Sequence, residues 1–244
     1  MLKDDSFRYF GKNNFLPKKV GSKIFMYTAS AYTMKDPGFF ERPLIVSYDL
    51  ISQKTKPCNI SYPNFAKEFC WSEHHFDVPF TANNKNELIV SFPFTDDIYV
   101  YDIAKDEIVK EIVDAKSKYV DKVIPYNACD FTNPEKYFSY LKSVSRYYSL
   151  TYDKYKNVYY RIVLLPSDEI DGKRNDDIVM PMSIMVLDGD FQVISEKRLE
   201  KRIYNYKDFF VDSEGFWLSR NNTGNDNFNE NELSFSLFNL RDKK

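Results

Sequence analysis

The chain has 244 residues, 43% of them hydrophobic and 17% aromatic, enough for one large domain or two small ones with a real core. Its 34 basic and 36 acidic residues leave a formal charge of −2, so there is no electrostatic footprint for nucleic acid or an anionic membrane. No run of about 18 apolar residues occurs, so no transmembrane helix is expected. The opening Met1-Leu2-Lys3-Asp4-Asp5 carries two acids and no apolar stretch and does not read as a signal peptide.

The 21 Phe and 19 Tyr favour sheet, and the sequence repeats a meander of short strands. A first set reads as Asn13–Val20, Lys23–Ser30, Leu44–Ile51 and Lys56–Pro63. A second reads as Phe76–Ala82, Glu87–Phe94, Ile98–Ile103 and Ile108–Ala115, with turn chemistry at Asn83–Asn86, Thr95–Asp97 and Ala104–Glu107. One short helix is predicted at Asn133–Leu141, where Pro134 and Glu135 suit a first turn. A third set follows at Tyr147–Asp153, Val158–Leu165, Met182–Asp188 and Gln192–Glu200, and a fourth, lacking its last strand, at Tyr206–Asp212, Phe216–Asn221 and Leu233–Leu240. The expected fold is all-β: a β-propeller-type meander of about four four-stranded blades in one domain over 1–244, with blades near 13–63, 76–115, 147–200 and 206–240. Ser6–Phe10 is a candidate for the missing strand of the last blade, which would close the ring. Without it the end blades expose open edges.

If the strands of a blade are a to d, the a–b and c–d turns share one face of the ring. They are tight: Asn83–Asn86, Lys154–Asn157, Ser213–Gly215, Ser52–Thr55, Ala104–Glu107 and Gly189–Phe191. The opposite face takes the b–c loops Ala31–Pro43, Pro166–Pro181 and Asn222–Glu232 and the links Asn64–His75 and Lys116–Arg146. Insertions segregated to one face of a repeat array mark a binding face.

Candidate binding residues lie on that long-loop face. Trp71, Glu73, His74 and His75 bring imidazole and carboxylate together, but neighbours on an extended segment point apart and cannot easily share one ion. Asp168 and Asp171, with Arg174, sit in an oxygen-rich loop whose spacing is not that of an EF-hand. Asn221, Asn222, Asn225 and Asp226 suit sugar hydroxyls and equally suit a long turn. Tyr152, Tyr155, Tyr159 and Tyr160 read as packing between blades, with Arg161 beside a neighbouring acid. Cys58, Cys70 and Cys129 form no Cys-x-x-Cys pair and read as free, buried or half-buried thiols. No catalytic motif, phosphate loop, dinucleotide fingerprint or metal-ligand spacing stands out, so no catalytic residue, metal or cofactor is assigned.

The stretches Ile89–Phe94 with Asp97–Asp102, Tyr152–Arg161 and Glu232–Phe238 resemble an uncharacterised bacterial family, domain of unknown function 4221. The likeness runs over roughly residues 20–240. It implies a six-bladed propeller, of which this chain would match the C-terminal two-thirds, in an exported lipoprotein whose lipid anchor would belong to the full-length protein. It supplies no catalytic residues. The expected function is a non-catalytic binding or scaffold propeller meeting a peptide, glycan or protein partner through its long-loop face. The alternatives are a metal-dependent hydrolase or lactonase on a propeller, or a fragment without independent activity.

Overall fold

The computed structural model describes residues 7–9, 16–30, 33–36, 38–112, 115–127, 129, 132–167 and 180–239. Four antiparallel sheets follow one another as the blades of a propeller-like ring. The first holds β1 (Phe7–Tyr9), β2 (Lys18–Val20), β3 (Lys23–Ser30), β4 (Ile45–Asp49) and β5 (Thr55–Pro57). The second holds β6 (Phe80–Ala82), β7 (Glu87–Ser91), β8 (Ile98–Asp102) and β9 (Glu107–Ile112). The third holds β10 (Arg146–Asp153), β11 (Val158–Leu164), β12 (Met182–Leu187) and β13 (Val193–Arg198). The fourth holds β14 (Phe209–Val211), β15 (Phe216–Ser219) and β16 (Phe235–Phe238). The first strands of neighbouring sheets touch, so β2, β6, β10 and β14 form the inner edge.

Two expectations change. The N-terminal strand does not complete the last blade. β1 pairs with β3, Phe7 opposite Ser30, along the same edge that β2 occupies from Lys18 to Val20. The inner strand of the first sheet is thus made of two pieces. The predicted helix is present as α2 (Pro134–Ser143), capped by the Asn133 side chain, which accepts from the Lys136 N–H at 3.0 Å. It is not the only helical segment. A one-turn helix α1 (Gly38–Glu41) starts where the Asp36 carboxylate accepts from the Gly38 N–H, and 3-10 turns span Asn64–Glu68 and Glu73–His75.

The short-turn face is built from one repeated device. Six of its hairpins begin with an Asp or Asn whose Oδ1 accepts from the main-chain N–H two residues on. The residues are Asp49, Asn83, Asp102, Asp153, Asp188 and Asp212, at 2.8–2.9 Å. Each turn also contains a residue in the left-handed region, such as Asn86, Asp106 or Asn157. Asn and Asp tolerate that conformation because their short side chains bond locally. At Gly215, φ is +148° and a Cβ would lie 2.7 Å from the Phe238 carbonyl, so only glycine fits.

Burial follows position in the blade. Every residue of β11 and β12 is buried, because neighbouring blades cover both faces of these middle strands. The outer strands β9 and β13 are mostly exposed and carry the charges. Side chains alternate between the two interfaces. Tyr159 joins the core shared with the first two blades, while Tyr160 stacks on Phe216 of the fourth at 4.9 Å.

Arg161 faces the second blade and is fully buried. Nη1 donates to the carbonyls of Asp96 (2.8 Å) and Ala115 (3.0 Å), and Nη2 to Ser91 Oγ (2.8 Å) and the Thr95 carbonyl (3.1 Å). Its guanidinium lies 3.7 Å from the Tyr147 ring centre. The expected acid partner is replaced by main-chain carbonyls, because the ends of β7 and β9 bring unpaired C=O groups to the blade junction. Burial lowers its pKa to about 10. Replacing Arg161 by Met strands four acceptors, and we expect a loss of about 3 kcal/mol or more in urea unfolding followed by fluorescence. An unchanged midpoint would mean that the arginine does not join the blades.

Candidate functional site

The long-loop face is organised by the links that enter the second and third blades. In the first link, the Trp71 indole N–H donates to the Ala66 carbonyl at 3.1 Å. Its ring stacks on Phe94 at 5.0 Å and lies 5.5 Å from His75. In the second link Val120, Val123 and Tyr126 are buried, and the Tyr126 N–H donates to the Cys70 carbonyl at 2.7 Å. Cys70 and Cys129 are joined by a disulfide with Cα atoms 5.5 Å apart, which corrects the reading of them as free thiols. They are 59 residues apart, and only the return of the chain to the same face brings them together. Cys58 is the free, buried thiol expected, with burial pushing its pKa up to about 11.

Between these links lies a groove of about 250 Å³. Phe65, Phe69 and Trp71 of the first link, Phe94 of the second blade and Val120 and Val123 of the second link supply its apolar surface. Thr95, Asp96, Lys116, Asp121 and Lys122 add hydrogen-bonding groups of both signs, with Lys116 Nζ 3.5 Å from Asp121 Oδ1. Phe69 is 48% exposed beside the buried Trp71, so an aromatic surface is open to solvent here. The volume admits one side chain or one sugar ring and is below the range of drug-sized ligands.

The predicted residues divide. Trp71 lines the groove. His75 is fully buried, with Nδ1 2.7 Å from Ser72 Oγ and Nε2 without a hydrogen bond. Burial, then the nearby Arg146 charge, hold its pKa well below 6.5, so the ring is neutral. His74 is half-buried, 3.9 Å from Glu73 and 4.0 Å from Asp77. The two rings diverge as expected, but from a 3-10 turn and not from extended chain. Asn221 and Asn222 use their amides on main chain of the loop and of the link beside it: Asn221 Nδ2 donates to the Glu232 carbonyl, its Oδ1 accepts from the Ser234 N–H, and Asn222 Nδ2 donates to the Tyr204 carbonyl. Asn225 accepts from the Asn227 N–H, and Asp226 lies in the same loop. Asp168, Asp171 and Arg174 lie outside the described residues.

Among the described residues no group of three His, Cys, Asp or Glu could hold a metal ion, and no helix is long and apolar enough to cross a membrane. Sequence reasoning misses Phe65, Phe69, Lys116 and Lys122. The visible signal was three aromatic residues, Phe65, Phe69 and Trp71, within seven positions of a link with no strand to bury them.

Two outcomes follow from this geometry. Reducing Cys70–Cys129 frees a loop of about 60 residues, and we expect a stability loss of up to about 4 kcal/mol, read as a lower Tm with reductant. An identical melt with and without reductant would refute it. The unfolded chain protonates the imidazole of residue 75 near its ordinary value of 6.5, while the folded chain keeps it neutral. The contribution is therefore fully present above pH 6.5 and is lost as pH falls toward the depressed folded value. His75→Asn should flatten the urea midpoint against pH below 6.5, and parallel profiles would count against the assignment.

A search of curated proteins finds no match. Among solved structures, this chain is similar to a member of the DUF4221 family from Bacteroides vulgatus, with 25% identity and a TM-score of 0.73. The alignment covers 93% of this chain and 65% of that one, so the chain spans about two-thirds of that protein's length. The family model described as domain of unknown function (DUF4221) matches residues 11–198, and the chain belongs to that family.

Proposed function

We propose that this chain is a non-catalytic binding propeller whose long-loop face meets a peptide, a glycan or a partner protein. The observation that carries the reading is the groove between the two links, where the half-exposed Phe69 stands beside Trp71 and a rim of Lys116, Lys122, Asp96 and Asp121. A flat aromatic surface stacks equally well on an apolar side chain or on the C–H face of a sugar, and paired donors and acceptors suit hydroxyls or amides. Aromatic anchors flanked by polar rims dominate binding energy in protein interfaces.

The Cys70–Cys129 disulfide supports work in an oxidising compartment, in line with the export that the family resemblance implies. We read the family ring as six-bladed, since four blades here span 65% of the related protein.

The test is to screen the oxidised protein on oligosaccharide and peptide arrays and repeat the screen with Phe69→Ala and Lys122→Ala. Phe69 is far enough exposed for the fold to survive its truncation. We expect a binder on one array, weakened about tenfold or more by Phe69→Ala. Binding that ignores both substitutions, or no binder on either array, would overturn the reading. Cleavage of the probe would replace it with the hydrolase alternative.

A further inference from the structure

By volume the groove at Phe69 admits one side chain or one sugar ring, and its contacts decide between them. Trp71 cannot serve as a platform for a sugar. It is 3% exposed, with Phe94 stacked on it at 5.0 Å, His75 at 5.5 Å and the Phe69 ring edge-on at 6.0 Å. Its N–H is already given to the Ala66 carbonyl. Most other polar side chains of the groove are also committed within the chain. Thr95 Oγ1 donates to Asp97 Oδ2 at 2.7 Å, the Tyr147 hydroxyl accepts from the Ser117 N–H at 3.2 Å, and Lys116 pairs with Asp121. Among the described lining residues, Asp96 and Lys122 are the charged groups whose side chains hold no hydrogen bond or ion pair. A sugar carries hydroxyls around its ring, each both donor and acceptor, and two side chains would leave several of them unpaired. An apolar side chain makes no such demand.

The rim is a second observation. Ile124 is 54% exposed between the lining residues Val123 and Pro125, and Tyr119 is 37% exposed beside the lining residue Val120. With Phe69, three large apolar side chains stand in solvent around an apolar depression. Exposed apolar surface rimmed by polar groups marks contact with a protein or peptide. A hydroxyl-rich ligand gains little by covering isoleucine, whereas another apolar surface gains in proportion to the area removed from water.

We infer that the groove takes one large apolar side chain, of the size of leucine or phenylalanine, from a peptide segment of a partner protein, an assignment that rests on the binding reading above and narrows it to one class of ligand. Phe69, Val120 and Val123 surround this anchor, and Ile124 and Tyr119 add apolar contact at the rim. Lys122 and Asp96, one of each sign, meet charged residues that flank the anchor in the segment.

The experiment is a nuclear magnetic resonance titration of the oxidised protein with four probes. These are the capped peptide acetyl-Gly-Glu-Phe-Lys-Gly-amide, its counterparts with leucine or alanine in the middle, and methyl glucoside. The phenylalanine or the leucine peptide should bind saturably, about tenfold or more tighter than the alanine peptide. Phe69→Ala should weaken that peptide about tenfold. Ile124→Ser should weaken it a few-fold and keep the fold, because the side chain is exposed and the bond from the Tyr140 hydroxyl goes to the main-chain carbonyl. Equal binding of the three peptides, or binding that ignores both substitutions, would overturn the inference. Methyl glucoside bound in the parent and lost in Phe69→Ala would also overturn it, yet leave the binding propeller standing with a glycan as its ligand. Silence of all four probes would overturn it as well, and the array screen would then decide the wider reading separately.

Discussion

A blade in the middle of the row is covered on both faces, so the polar ends of its strands must find partners in the next blade and not in water. Side chains that reach across a junction and satisfy several groups at once meet this constraint. Arg161 does so between the second and third blades, collecting three carbonyls and a hydroxyl. Glu196 does so from the outer strand β13, accepting from Ser117 Oγ at 2.6 Å, the Lys118 N–H at 2.8 Å and Ser183 Oγ at 2.6 Å. Asp106 does so between the first and second blades, accepting from Lys56 Nζ at 2.6 Å, the Asn59 N–H at 3.2 Å and the Tyr101 hydroxyl. Aromatic stacking fills the space between the blades, but it is non-directional compared with these joints. Register between blades is set where one charged side chain fits several fixed acceptors or donors.

The strand meander was legible because each blade repeats the same alternation and the same turn chemistry. In hindsight the Asp or Asn before each short turn is the sharper signal, since Asp49, Asn83, Asp102, Asp153, Asp188 and Asp212 all perform one task. Strand ends were less legible. Phe76 to Pro79 reads as strand by composition, yet the sheet begins only at Phe80, because the preceding residues are drawn into the core beneath the link. The pairing of β1 with β3 could not be read at all: a three-residue strand carries too little pattern to choose between two sheets. The same limit hid the disulfide. Cysteines 59 residues apart become neighbours only through the path of two links, and spacing alone does not encode that path.

The two faces of the ring use their polar groups differently, and this asymmetry locates function more firmly than loop length does. On the short-turn face the acids and amides are consumed by the turns they close, so little is left over for a ligand. On the long-loop face the polar side chains divide into two kinds. Asn221 and Asn222 behave like the turn residues, and their amides bond main chain within the loop or beside it. Lys116, Lys122 and Asp96 have no such turn to close, and they stand beside aromatic surface that the strands do not cover.

Loops of this kind gain little from sheet hydrogen bonds, so their order must come from elsewhere. Here it comes from Trp71 bonded to Ala66, from the main-chain bond between Tyr126 and Cys70, and from the covalent link between Cys70 and Cys129. All three fall around the groove. A chain that needed only to cap its propeller could do so with short links of the kind seen between the third and fourth blades, where residues 199–208 suffice. The longer, aromatic and cross-linked connections hold a shaped surface in place, and pre-organisation of that kind lowers the entropic cost of binding.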